Sequence, residues 1–255
     1  MKIKFLGVGS AFTTLDYGQS NMVLTGKSGK KMLIDCGGDA RLFFQDYNLN
    51  IEDIDSIYIS HLHSDHIGGM EWFAFVSYFI PGYGPPDLYM EKNIMGEIWE
   101  SSLKGGLKCI EGKVMDLKDY FKCHAIKENE SFVWDGIKLT PIKLPHITTS
   151  TIVFYSYGLI IEDLSTKAKP IFLTTDTKFC PDLISEIMEE SELIFHDCET
   201  TDFQTTVHAH YDELCTLPET IRKKMWLYHY QPNPIQDPIK DGFKGFVTKG
   251  QEFIF

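Results

Sequence analysis

The sequence predicts an α/β chain built as a four-layer sandwich: two sheet-rich halves with helices on the outside. Three observations carry this. Residues 1–60 and 126–176 alternate apolar and polar side chains in period two between glycine turns, as strands do. Residues 181–230 instead alternate helical and strand patterns. Between the halves, residues 67–125 are the least regular part of the chain.

In chain order, the first block gives strands at Ile3–Val8, Met22–Thr25, Lys31–Asp35 and Ile57–Ser60, with a helix near Asp39–Tyr47. Gly26-Lys27-Ser28-Gly29-Lys30 reads as a hairpin turn; it lacks the spacing of a phosphate-binding loop. An aromatic helix follows at Glu71–Tyr78 and a second helix at about Lys92–Lys104. Strands return at Ser131–Trp134, Ile137–Leu144, Thr151–Ile161 and Ile171–Thr174. The last block gives helix Pro181–Glu190, strand Leu193–His196, helix Tyr211–Lys224 and strand Met225–Tyr230. No repeat or low-complexity tract interrupts this, and residues 1–255 are expected to form a single domain.

Composition narrows the function. At 255 residues and 43% hydrophobic, the chain can bury one large core or two fused half-cores. Its most apolar stretch, Trp72–Ile80, is too short to span a membrane and ends at Pro81-Gly82. Met1–Phe12 alternates like a strand, and no secretory signal is expected. Six scattered cysteines without a paired motif point to reduced thiols and a cytoplasmic setting. The net charge of −12 argues against a long nucleic acid as partner, because grip on many phosphates needs a basic stripe, and Arg222-Lys223-Lys224 is the nearest approach to one. A small anion at a metal site is compatible with that charge.

The chemistry concentrates in Ile57-Tyr58-Ile59-Ser60-His61-Leu62-His63-Ser64-Asp65-His66-Ile67-Gly68-Gly69. An apolar strand ends where a run of ligand-type side chains begins. His61 and His63 are two apart and leave an extended backbone on one face. Asp65 and His66 follow on the turn into a helix, with Gly68-Gly69 allowing close backbone approach. Nitrogen and oxygen donors in this arrangement suit two adjacent divalent cations.

This His-x-His-x-Asp-His run resembles the signature of the metallo-β-lactamase superfamily, whose fold is a four-layer αβ/βα sandwich. Other parts of the pattern follow in order from Ile3 to Tyr230. Leu33-Ile34-Asp35-Cys36-Gly37 is similar to the early strand whose aspartate supports the metal site. The resemblance implies that His61, His63 and His146 ligate one ion, Asp65, His66 and His229 the other, and Asp176 both. Two divalent ions are expected, zinc first, with manganese as the alternative. Diiron flavoproteins of the fold carry an acidic residue where His63 stands, and zinc β-lactamases that alter the first histidine or use a cysteine ligand also depart from this set.

Within the superfamily the chain resembles the ribonuclease Z-like phosphodiesterases. The resemblance rests on Phe5-Leu6-Gly7-Val8-Gly9-Ser10, Gly18-Gln19-Ser20-Asn21, Phe195-His196-Asp197-Cys198-Glu199-Thr200 and Val207-His208-Ala209-His210. Transfer-RNA-processing members carry a long flexible arm between the third histidine and the bridging aspartate, and this chain has only strands between His146 and Asp176. An arm-less, acidic version is most similar to cyclic mononucleotide phosphodiesterases, among them the phage and bacterial enzymes that degrade cyclic pyrimidine signals of Pycsar immunity. The resemblance implies hydrolysis of 3′,5′-cyclic nucleotides to 5′-monophosphates.

In such chemistry a pair of cations about 3.5–4 Å apart activates water and polarises the phosphoryl group. Asp65 would orient the water, and a histidine would protonate the leaving ribose oxygen. His208 is the first candidate for that proton and His210 the second. Asp35, His196 and Glu199 are candidates for holding ligand imidazoles in place, or for ordinary strand-end capping. The Phe73–Tyr89 block, rich in aromatics and proline, offers a base-stacking wall, a homodimer surface or plain core. Three rivals remain: a ribonuclease Z-like endoribonuclease, a lactonase or thioesterase using the same metals on a carbonyl, and a non-enzymatic binder that sequesters a nucleotide.

Overall fold

The computed structural model describes residues 1–255, which divide into two compact units. One comprises Met1–Gly7, Gln19–Glu128 and Gly250–Phe255. The other comprises Val8–Gly18 and Asn129–Lys249. Each is built on its own seven-stranded sheet.

In the first unit the sheet order is Glu252–Ile254, Lys2–Phe5, Met22–Thr25, Lys31–Ile34, Ser56–Tyr58, Asp87–Glu91 and Lys122–Ile126. Strands on the Lys2–Phe5 side pair antiparallel, joined by the expected 26–30 hairpin, while those from Lys31–Ile34 onward run parallel. Ser56–Tyr58 is buried along its whole length, as a central parallel strand should be. Asp87–Glu91, Lys122–Ile126 and Glu252–Ile254 were not anticipated from the sequence.

Helix Met70–Phe79 buries Met70, Phe73, Ala74 and Ser77. It packs through Trp72 and Phe73 onto Phe44 of helix Ala40–Asp46, edge to face at 5.4 and 6.2 Å. Ile80 ends it in an extended conformation, as a residue before proline prefers. The Phe73–Tyr89 block is therefore not one exposed surface: Phe73 and Leu88 are core, while Tyr78 and Phe79, the latter 63% exposed, are the large apolar side chains it presents.

In the second unit the order is Gly245–Phe246, Met225–Tyr228, Leu193–Asp197, Ile171–Leu173, Val153–Asp163, Ile137–Thr148 and Phe132–Trp134. Ile137–Thr148 and Val153–Asp163 form a long hairpin closed by a four-residue turn, in which Thr149 N–H donates to the Ile152 carbonyl (2.8 Å). Helix Pro181–Glu190 begins with proline, where the missing N–H is harmless. Its Ile184 and Met188 join Phe172, Ile194, Leu214 and Leu227 in the core of this unit.

The long helix expected at Tyr211–Lys224 is instead two short ones, Tyr211–Leu214 and Glu219–Arg222. Pro218 forces the break, because it lacks the N–H a continuing helix needs and holds its predecessor extended. No helix of the chain is long and apolar enough to cross a membrane. All six cysteines are free thiols.

Candidate metal centre

In the first unit, strand Ser56–Tyr58 delivers the His-x-His-x-Asp-His run to the end of the parallel sheet. His63 then starts the short helix Ser64–Ile67, which carries Asp65 and His66. The rings of His61 and His63 lie side by side, with Nε2 and Nδ1 3.1 Å apart, as their two-residue spacing implies. Everything here is anchored on Asp35, fully buried and held at φ 60°. Its carboxylate accepts from Ser60 N–H (2.8 Å) and Ser60 Oγ (2.8 Å), and from His66 Nδ1–H (2.7 Å). Because Ser60 spends its proton on Asp35, its oxygen is the acceptor for His61 Nδ1–H at 3.0 Å. One aspartate thus orients His66 directly and His61 through a hydroxyl, which is what ligand imidazoles require.

The turns carrying these residues are packed backbone to backbone. Cys36 N–H donates to the His66 carbonyl (2.7 Å), and Gly69 N–H to the Cys36 carbonyl (2.8 Å). A Cβ on Gly37 would strike the Asp65 carbonyl oxygen, and one on Gly69 the Gly37 carbonyl. Asn21 adds its Oδ1 to Gly37 N–H (2.6 Å).

In the second unit, His146 occupies a β-bulge: the pairing register shifts between Pro145 and Ile147, so the extra residue is re-aimed. Its Nδ1–H donates to the Val207 carbonyl (3.0 Å), leaving Nε2 as the lone-pair nitrogen, 3.7 Å from Asp176 Oδ2. Asp176 lies just beyond strand Ile171–Leu173, after Thr175 at φ 55°. His229 follows strand Met225–Tyr228 at φ 66°, with its Nε2 3.2 Å from Asp176 Oδ2. Left-handed backbone at three non-glycine residues, all at strand ends beside these side chains, is strain held by the surrounding bonds.

His208 Nδ1 donates to Asp197 Oδ2 at 2.8 Å and stands 3.9 Å from Asp176 Oδ2. Burial works to lower the pKa of this ring. The charge of Asp197 and its hydrogen bond, aided by Asp176 and Glu199, outweigh that and push it up to about 9. Burial at the same time raises the pKa of Asp197, against the charge and hydrogen bond of His208.

The donors in both units fit divalent ions. His66 gives Nδ1–H to Asp35, so its Nε2 lone pair meets Asp65 Oδ2 at 3.2 Å. His146 Nε2 confronts Asp176 in the same way. A lone pair against a buried carboxylate is repulsive, and a divalent cation between them removes that repulsion.

Three of the sequence candidates bond to the backbone around them. His210 uses both ring nitrogens on backbone: Nε2–H donates to the Thr201 carbonyl (2.9 Å) and Nδ1 accepts from Asp212 N–H (3.3 Å), capping helix Tyr211–Leu214. His196 donates from Nδ1 to the Asp197 carbonyl (2.7 Å), and its burial lowers its pKa. Glu199 accepts from Thr205 N–H (3.0 Å). The residue that sequence reading passed over is Asp197, which also accepts from Thr177 N–H (2.8 Å). Its signal was a carboxylate closing the apolar strand Leu193–Asp197.

Comparison with solved structures gives the same fold. The metallo-β-lactamase fold protein YhfI from Bacillus subtilis superposes with a TM-score of 0.75 at 17% identity, covering 99% of this chain and 98% of that one. A diphosphatase of the PhnP family gives 0.74 at 18%, covering 100% and 97%. Human tRNase Z, short form, gives 0.71 at 19%, covering 100% of each chain within a percent. The chain thus has the four-layer metallo-β-lactamase fold. In sequence it is similar to an anti-Pycsar protein Apyc1 of Bacillus phage BSP38, 34% identical over 99% of this chain and 98% of that one. A relative of the same name from Paenibacillus sp. (strain J14) is 33% identical, over 100% and 96%. The sequence model of the family described as anti-Pycsar protein Apyc1 matches residues 1–253. The chain belongs to the anti-Pycsar protein Apyc1 family.

Proposed function

We propose that this protein, a metal-dependent hydrolase, opens 3′,5′-cyclic mononucleotides to 5′-monophosphates: cCMP and cUMP foremost, cAMP and cGMP as well. The observation that carries this reading is the His208–Asp197 pair beside Asp176. A protonated imidazole held by a carboxylate is the acid that a ribose alkoxide needs in order to leave. Family membership supports the substrate class and a role in evading Pycsar immunity.

In this reading the two units work as one domain. As the sequence resemblance implies, His61, His63 and His146 would ligate one divalent ion, Asp65, His66 and His229 the second, and Asp176 both, with zinc first and manganese as the alternative. Ions held there would supply Lewis acidity to the phosphoryl oxygens and an acidified water. The chain's residues do the rest. Asp35 and the Val207 carbonyl fix which nitrogen each of His66, His61 and His146 offers. Asp65 orients the attacking water and takes its proton. His208 delivers a proton from Nε2 to the departing 3′ oxygen, while Asp197 balances its charge. The four-residue turn between Ile137–Thr148 and Val153–Asp163 supplies no arm for transfer RNA, and the charge of −12 repels long polyanions. The exposed Phe79 end of the aromatic helix is the surface on which a homodimer would meet. Light scattering at the monomer mass across micromolar concentrations would remove that part of the reading.

Assaying purified metal-loaded protein against 3′,5′-cyclic nucleotides, bis-p-nitrophenyl phosphate and a lactone tests the assignment. Turnover of the two diesters with the lactone intact is the expected outcome. Lactone hydrolysis without diester hydrolysis would place the protein among carbonyl hydrolases, and single-turnover binding without product would make it a sequestering protein.

A further inference from the structure

The loop 200–209 carries His208, and the residue in front of it grips the loop twice. Glu199 and His210 form a short parallel bridge. Glu199 N–H donates to the Ala209 carbonyl (2.8 Å), and Tyr211 N–H donates to the Glu199 carbonyl (2.9 Å), so the loop is closed at its base. The Glu199 side chain, 1% exposed, then turns into the loop it closes, where Oε2 accepts from Thr205 N–H at 3.0 Å. Thr205 is three residues before His208, and the backbone between them includes Thr206 at φ 62°. A left-handed threonine is a conformation that the chain keeps only where its neighbours over-determine it. Thr205 Oγ1 accepts from Val207 N–H (3.3 Å) across that residue.

Asp197 fixes the His208 ring, but no ring can be well placed on a backbone that drifts. The far side of the loop is open to solvent, with Phe203 near its tip 69% exposed. A buried carboxylate is also costly unless it is hydrogen-bonded, so its presence here calls for a use.

We propose that Glu199 is a positioning residue: by holding Thr205 N–H it keeps loop 200–209 in the shape that presents His208 to Asp197 and to the leaving oxygen. The inference rests on the proton-donor role of His208 proposed above. A displacement of about 1 Å at a reacting group lowers a rate on the order of 100-fold. That loss should appear where the proton is needed and not where it is dispensable. Bis-p-nitrophenyl phosphate expels a stable phenolate without an acid; a cyclic nucleotide does not.

The test compares full-length Glu199→Ala, Glu199→Gln and His208→Ala with the unaltered protein on cCMP and on bis-p-nitrophenyl phosphate, with bound metal measured for each. Glu199→Ala should lose on the order of 100-fold in kcat on cCMP with KM little changed, a few-fold at most on the phenyl ester, and no metal. Glu199→Gln still offers an oxygen to Thr205 N–H and should recover most of the loss. Should Glu199→Ala prove insoluble, Glu199→Asp keeps the charge but falls short of Thr205, and should show the same selective loss. Equal losses on both substrates, loss of metal, or a glutamine variant as impaired as alanine would overturn the inference. If His208→Ala discriminates between the substrates and Glu199→Ala does not, only the role of Glu199 falls. If His208→Ala itself fails to discriminate, the proton-donor reading falls and this inference with it.

Discussion

His208 Nδ1 and Asp197 Oδ2 lie 2.8 Å apart, a contact that favours His208 over its neighbour His210 as the proton donor proposed above. His210, two residues on, has both nitrogens committed to backbone. His208→Ala should therefore lose 10²–10⁴-fold on a cyclic nucleotide, the range typical of a positioned acid. Asp197→Asn leaves the shape but removes the charge, and should lose at least about tenfold on the same substrate. His210→Ala should act mainly on stability, by about 1 kcal/mol, as the loss of a helix cap does. Kinetics on cCMP beside chemical denaturation checks all three; His210→Ala matching His208→Ala in rate would reverse the assignment.

Asp35 is the next sensitive position. It is fully buried and accepts three hydrogen bonds that orient His66 and His61. Asp35→Ala strands those donors in a left-handed turn that alanine resists, so a loss of about 2–4 kcal/mol is expected. Metal content should fall as well. Asp35→Asn tolerates the same backbone and should be milder in denaturation, yet still bind metal less well. An Asp35→Ala protein with unchanged stability and metal content would contradict the anchoring role.

Gly37 tests the packing of the Asp35 turn against the turn that carries Asp65. Alanine there drives a Cβ into the Asp65 carbonyl oxygen, which is backbone and cannot swing away. Gly37→Ala should destabilise by about 3 kcal/mol or more and displace Asp65, so activity should drop even where the variant stays folded. A thermal midpoint and rate within error of the unaltered protein would show that the turns separate more easily than their contacts imply.

Substrate size follows from the short turn at residues 149–152 and the charge of −12. Small cyclic or model diesters should be cleaved at least about 100-fold faster than a transfer-RNA precursor, since an acidic surface forfeits the counterion-release affinity on which long polyanions depend. Efficient, accurate cutting of the precursor in a gel assay would overturn this.

Most of the proposed ligand set could be picked out in the sequence because it is local or marked by strand ends. His61, His63, Asp65 and His66 lie within one turn-length of chain, and His146, Asp176 and His229 each follow an apolar run. Asp197 was not legible as the partner of His208. The pairing depends on a loop folding back 11 residues onto a parallel strand, and nothing local announces that. The sequence offers no ground for choosing between His208 and His210 beyond the resemblance, because identical side chains two apart differ only in what surrounds them. Strand Asp87–Glu91 was missed because its ends are acidic and its inner position comes from neighbours far away in sequence. The continuous helix drawn through Pro218 failed on a rule the sequence did contain.

Loaded with two divalent ions, this chain should convert a 3′,5′-cyclic nucleotide to its 5′-monophosphate with His208 protonating the 3′ oxygen. Chromatographic identification of the product from cCMP, with metal per chain determined on the same sample, tests it most directly. The expected result is 5′-CMP as sole product at two ions per chain, with turnover abolished by a chelator and by Asp176→Ala. Accumulation of 3′-CMP, or intact cCMP after incubation with folded protein holding two ions, would contradict it.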